Sequence, residues 1–219
     1  MSRLDERIAD GMRLQLAARA ERLRAGDRPL GWKVGFGAPA AMARLGIDRA
    51  LVGFLLDSNR LPDGAEVDVR GWATPMLEPE IAVHMGHGLA VTGLSAAIEL
   101  ADVDPPPTGV RAILAGDIFH RHVLLAPARP GDALPDGIRL RLRVNGEQVA
   151  ATDDVTELTG HPAAVVQQTA ELLEACGERL RAGDVVITGS IVPPLPVAPG
   201  SRVEVDLGPL GALSVRFPG

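Results

Sequence analysis

Residues 74–85, TPMLEPEIAVHM, constrain this chain more than any other stretch. Leu77, Ile81, Val83 and Met85 are the apolar set of a strand that Glu78 and Glu80 interrupt. Side chains along a strand alternate with a period of two, so the two carboxylates share one face. Neighbouring carboxylates repel unless something neutralises them. One of them takes up a proton, or a hard cation binds both, or both face water on a solvated edge. Pro79 between them cannot donate to a ladder and predicts an edge or irregular strand.

Composition narrows the classes of function. Across 219 residues the formal net charge is −6, with no basic block, which argues against a nucleic-acid partner. Four Phe, two Trp and no Tyr leave little for base stacking. The single cysteine, Cys176, excludes an intrachain disulfide and a cysteine-built zinc site, and reads as a structural thiol in an apolar helical run. The charged start, MSRLDERIADGM, has no signal-peptide core, and no apolar run approaches membrane-spanning length. The expected location is the cytoplasm. Gly and Pro are spread through the chain at element ends, the pattern of many short strands joined by tight turns.

In chain order, residues 3–25 read as a helix with Leu4, Ile8, Met12 and Leu16 on one face, placed over the core or against a second subunit. Residues 31–37, GWKVGFG, form a short strand. Its lone Lys33 either meets an anion or carries its ammonium out to water. A short helix opens at Pro39 and ends before Gly46. Residues 52–56 read as a buried strand running into Asp57-Ser58-Asn59, ordinary turn chemistry. A further strand is expected at 65–69. His84 shares the face of Glu78 and Glu80. Residues 95–101, SAAIELA, read as a short helix whose Glu99 faces solvent or inward. Asp104 and the prolines 105–107 form a loop. In residues 112–125, AILAGDIFHRHVLL, Asp117, His120, Arg121 and His122 are more polar groups than strand solubility requires. Asn145-Gly146 marks a hairpin within 138–151 whose Arg139, Arg141 and Arg143 read as a solvated face. A helix follows at 162–176. The strand at 185–187 stops at Thr188-Gly189-Ser190, whose N–H and O–H groups suit an anion. Alternating strands fill 197–217. The sum is α+β with a curled, barrel-like sheet.

The segments GWKVGF (31–36), LVGFLLD (51–57), LEPEIAV (77–83), AIELAD (97–102), DIFHRHV (117–123), VNGEQVA (144–150), TGHPAAVV (159–166) and LRAGDVVITGS (180–190) occur in one order over nearly the whole chain. In that ordered set the chain resembles the fumarylacetoacetate hydrolase superfamily, in its 2-oxopent-4-enoate hydratase and 4-oxalocrotonate decarboxylase branch. The resemblance implies a mixed β-roll with a few flanking helices, a single catalytic domain over 1–219 (helix and cap at 1–30, core at 31–219), and assembly as a homo-oligomer. It implies Mg²⁺ or Mn²⁺ held by Glu78, Glu80 and Glu99, and a 2-oxo acid substrate. Lys33 would lie near that substrate, Thr188, Gly189 and Ser190 would hold its carboxylate, and Asp57 would be a second acid/base group beside Lys33. Gly116-Asp117 stands where the branch commonly has an acidic residue followed by Asn, and the interval from Glu80 to Glu99 is short. The expected activity is metal-dependent hydration of a 2-hydroxy-2,4-dienoate to a 4-hydroxy-2-oxo acid. Hydrolysis of a C–C bond in an acylpyruvate, or a non-catalytic partner subunit of the same fold, are the alternatives.

Overall fold

A computed structural model describes residues 4–103 and 109–219. The loop expected at Asp104 and the prolines 105–107, and the first three residues, lie outside the described part. In chain order the elements are α1 (Glu6–Arg24), β1 (Pro29–Gly35), α2 (Pro39–Leu45), β2 (Leu51–Leu56), β3 (Arg60–Leu61), β4 (Ala65–Glu66), β5 (Pro75–Met85), β6 (Val91–Asp102), α3 (Val110–Ala115), β7 (His120–Leu125), β8 (Arg129–Pro130), β9 (Leu140–Val144), β10 (Glu147–Thr152), α4 (Pro162–Ala175), β11 (Val185–Ile187), β12 (Leu195–Pro196), β13 (Ser201–Asp206) and β14 (Ala212–Phe217). The fold is α+β, as expected. Among the described residues no helix is long and apolar enough to cross a membrane.

The larger sheet runs β2-β1-β11-β5-β6-β7-β3, with β12 also on β5 and β8 on β6. It is mixed: β1 and β11 are parallel, as are β3 and β7, and the remaining pairs are antiparallel. Leu55 on β2, Ala82 on β5, Ala97 on β6, Val123 on β7 and Ile187 on β11 meet in one buried cluster. Each neighbouring strand from β2 to β7 contributes to it, with Leu30 of β1 packed against it. A second sheet, β10-β9-β13-β14-β4, completes the roll. The β9–β10 hairpin turns at Asn145 (φ 51°) and Gly146 (φ 87°), the expected left-handed pair. The strand expected at 65–69 forms a ladder only at β4, although Val67 and Val69 are buried.

One expectation is corrected. Residues 95–101 are strand, not helix: they belong to β6, which pairs with β5 along nearly its whole length. Ala, Glu and Leu favour a helix only weakly. Here burial from Gly93 to Ala101 and a continuous ladder decide instead. Of the edge or irregular strand expected from Pro79, the second form holds: β5 lies inside the sheet, but its ladder on one side is interrupted at Pro79. Its carbonyl accepts from Ile191 N at 2.9 Å, on the side away from β6. The proline nitrogen faces that same side. There β11 pairs only with residues 82–84 and β12 only with residues 76–77. Pro79 therefore sits in the gap between two partners, where no ladder donor is needed.

Helix α1 starts at Asp5, whose carboxylate accepts from Arg7 N at 2.8 Å. Its buried residues Ile8, Met12, Gln15 and Arg19 lie at helical spacing and cover the core. A Cβ on Gly11 would lie 2.7 Å from Leu114 Cβ, so this glycine permits the approach of α1 to α3.

Candidate metal centre and cavity

The pairing of β5 with β6 places Glu78 directly opposite Glu99, with Glu80 two residues further along the same face. One carboxylate oxygen from each lies within 4.8 Å of the others. The short interval between Glu80 and Glu99 is therefore a tight hairpin that brings the three acids together. Lys33 enters from β1, which is joined to β5 through β11. It is 2% exposed, so it does not reach water. Its ammonium is ion-paired with Glu99 Oε1 and donates to Ile118 O at 3.1 Å. His120 Nδ1 donates to the same Glu99 oxygen at 2.9 Å.

Charge is unbalanced here. Burial pushes Glu99 upward, but Lys33 and His120 outweigh it and hold the carboxyl below its ordinary range. For Lys33, burial pulls the other way, yet Glu99 and Glu78 keep the ammonium above its ordinary value. One lysine does not neutralise the remaining acids. Burial and the charge of Glu99 push Glu78 up to about 7 and Glu80 well above the usual carboxylate range. Glu80 Oε2 accepts from Gly189 N at 2.7 Å. Glu80 Oε1 and Glu99 Oε2 are buried with no partner. Buried polar atoms ordinarily find one. Hard carboxylate oxygens at these separations fit one divalent cation, whose bonds of about 2.0–2.6 Å reach oxygens up to roughly 5 Å apart.

The other expected site residues divide. Thr188 Oγ1 is buried, unpartnered and on the wall of the adjoining cavity. The N–H of Gly189 is committed to Glu80, and Ser190 Oγ donates to Val192 O at 2.6 Å. Of the three, Thr188 keeps a free hydroxyl. The expectation for Asp57 is corrected. It lies beyond the end of β2, ion-paired with exposed Arg28 at 2.5 Å, and does not line the cavity. Gly53 is the β2 residue opposite Lys33, and four further residues of strand carry Asp57 about 13 Å away. His84 bonds Ser95 Oγ at 2.9 Å, two register steps from Glu80.

The acid beside the Lys33 stem is Asp117. A Cβ on Gly53 would lie 2.8 Å from both Asp117 Oδ1 and Lys33 Cγ. Asp117 Oδ1 accepts from Gln15 Nε2 and from Phe54 N, each at 2.8 Å. Burial raises its carboxyl to about 6. Asp117, Ile118 and Phe119 all take left-handed backbone, with φ of 52°, 50° and 65°. Each costs roughly 1–2 kcal/mol. The turn they make points the Ile118 carbonyl at Lys33 and delivers His120 to Glu99. The polar cluster at 117–122 is visible in the sequence as an excess of polar groups, but its members' roles need the fold. Gln15 gives no signal beyond its place on the helix.

A cavity of about 690 Å³ opens from this centre. Lys33, Glu78 and Thr188 form its polar end, and Phe36, Met76, Ile118, Phe119 and Val192 give it apolar walls. Residues 41–217 match the family model described as "Fumarylacetoacetate (FAA) hydrolase C-terminal". The chain belongs to the fumarylacetoacetate hydrolase family. Within that family it is 30% identical to a 4-oxalocrotonate decarboxylase of Pseudomonas putida, over 96% of this chain and 85% of the relative. It is 26% identical to a 2-hydroxyhexa-2,4-dienoate hydratase of Comamonas testosteroni, over 96% and 86% of the two chains. The structure of the 4-oxalocrotonate decarboxylase of Pseudomonas putida G7, complexed with magnesium and adipate, superposes with a TM-score of 0.87 at 27% identity, covering 96% of this chain and 86% of that one. The relatives lie in the hydratase and decarboxylase branch that the ordered segments indicate.

Proposed function

We propose that this family member is a divalent-metal-dependent hydratase that converts a 2-hydroxy-2,4-dienoate to a 4-hydroxy-2-oxo acid. The observation that carries the reading is the triad of Glu78, Glu80 and Glu99, one oxygen from each within 4.8 Å of the others, together with the buried, unpartnered Glu80 Oε1 and Glu99 Oε2. A similar decarboxylase holds magnesium, and Mg²⁺ or Mn²⁺ suits this all-oxygen set. When bound, the cation supplies Lewis-acid stabilisation to the carboxylate and 2-oxo oxygens of the substrate. Thr188 offers its hydroxyl to the substrate carboxylate. Lys33 stays charged, so it acts as an electrostatic stabiliser and hydrogen-bond donor, not as a base. The carbonyl of Ile118 and the carboxylate of Glu99 hold its ammonium in place. Net, water adds OH to C4 of the 2-oxo-3-enoate tautomer and a proton to C3. Assembly as a homo-oligomer and a cytoplasmic location belong to the same reading.

A second reading, loss of CO₂ from a 2-oxo-3-enedioate, is favoured by the likeness to the decarboxylase and by the position of Asp57 outside the cavity. Decarboxylation needs an electron sink but no residue to activate water. Titration calorimetry with Mn²⁺ tests the centre: we expect binding by the wild type and its loss in Glu80→Gln. Product analysis by NMR on the Mn²⁺-loaded protein then separates the chemistries. A 4-hydroxy-2-oxo acid supports hydration. CO₂ release, or cleavage of an acylpyruvate to pyruvate, replaces it with the decarboxylase or hydrolase reading. Absence of Mn²⁺ binding by the wild type sinks all three and leaves a partner-subunit role.

A further inference from the structure

Strand β7 carries a bulge that the proposed chemistry does not use. Its pairing with β6 is regular from Leu125 opposite Ala97 to His122 opposite Leu100, then slips by one residue, so that His120 lies opposite Ala101. An unbroken ladder would set Arg121 opposite Ala101 and His120 opposite Asp102, on the other face of the sheet from Glu99. The extra residue, Arg121, turns His120 onto the face of Glu99. The bulge is held on both sides. Asn59 Nδ2 donates to Arg121 O at 2.6 Å. The Arg121 guanidinium is ion-paired with Asp102 at 2.9 Å and lies 5.8 Å from the centre of the Trp72 ring.

The His120 side chain that this brings inward is 3% exposed, and its Nδ1 lies 2.9 Å from Glu99 Oε1. The Lys33 ammonium engages the same oxygen, while Glu99 Oε2 is buried with no partner. Two donors from different strands, converging on one oxygen, fix the rotation of the carboxylate and leave its other oxygen open. Glu80 repeats the arrangement: Oε2 accepts from Gly189 N, and Oε1 is open. Lys33 already supplies the positive charge that Glu99 needs, so what the histidine adds is direction.

We infer that His120 is a positioning residue: through its Nδ1 hydrogen bond it turns Glu99 so that Oε2, and not Oε1, faces the divalent cation, and Glu99 ligates through that one oxygen. This rests on the proposed metal centre. His120 touches neither substrate nor cation, and it gives up no proton. Partners that orient a ligand in this way ordinarily change metal affinity by about 10–100-fold.

The test is titration calorimetry with Mn²⁺ on the full-length protein, comparing the wild type with His120→Leu and His120→Asn. Leucine and asparagine are alike in shape, but only asparagine keeps an N–H near the position of Nδ1. We expect His120→Leu to weaken Mn²⁺ binding about 10–100-fold and His120→Asn to restore most of it. A residue that merely fills space would show no such rescue. Melting curves in EDTA check that both variants fold, and His120→Phe is a second donor-free variant should the leucine form fail to do so. Nitrogen NMR of the histidine-labelled, metal-free wild type should show the His120 proton on Nδ1. Unchanged Mn²⁺ affinity in the donor-free variant, a loss in His120→Asn as large as in His120→Leu, or an Nδ1 without its proton overturns the inference and leaves the metal centre standing. Absence of Mn²⁺ binding by the wild type overturns both.

Discussion

Asp117 shows how much one side chain can carry in this site. Its Oδ1 holds Gln15 from α1 and Phe54 N from β2, and its backbone begins the left-handed turn that reaches Lys33. Burial lifts its carboxyl from the usual carboxylate range to about 6. The folded protein therefore keeps a proton there that the unfolded chain has released. Between about pH 4 and pH 6 the folded state binds more protons, so this group's contribution to stability falls as pH rises through that window. Asp117→Asn keeps an oxygen to accept both hydrogen bonds and removes the ionisation. We expect it to gain about 1–3 kcal/mol at pH 7 and nothing at pH 4, read from urea unfolding at the two pH values. The pairing of Glu78 with Glu80 is legible from alternation alone. The assignment of Asp57 is not, because its distance from Lys33 depends on the register of β2 against β1.

At the scale of elements, strand registry and helix contact decide what local pattern cannot. The sequence SAAIELA satisfies a helix and a strand about equally, and only a long antiparallel partner settles it. Pro79 reads locally as a sign of an edge, yet it is accommodated inside the sheet because β11 ends before it and β12 begins beyond it. Turns were easier to read. Asn145-Gly146 marks the β9–β10 hairpin correctly, since its chemistry is local. The buried face of α1 was half legible: Ile8 and Met12 follow the apolar period, whereas Gln15 and Arg19 are buried for polar partners. Gly11 tests the contact between α1 and α3. Alanine normally improves a helix by about 1 kcal/mol over glycine. Here the added Cβ would meet Leu114, so we expect Gly11→Ala to destabilise by about 1–2 kcal/mol, measured as a lower thermal midpoint.

For the whole molecule, the roll is a frame that forces like charges together. Strands from one curled sheet deliver Glu78, Glu80, Glu99 and Lys33 to one buried point, and an N-terminal helix braces it through Gln15. Two buried oxygens are left unserved, so the proposed cation would link its binding to folding. Mn²⁺ at a hundredfold excess over its dissociation constant should add about 2.7 kcal/mol to the unfolding free energy. We expect EDTA to lower the thermal midpoint of the wild type and to leave that of Glu80→Gln unmoved. An equal response from the two proteins would place the cation elsewhere.

The left-handed turn at 117–119 carries a consequence for descent. Ile118 is β-branched, the kind of residue that such backbone suits least, and asparagine or glycine would sit there more comfortably. Either replacement would strip the cavity of an apolar wall. Lineages that drift toward a sturdier turn at this position would thus give up part of the cavity's apolar surface, and those that keep that surface would inherit the less robust version.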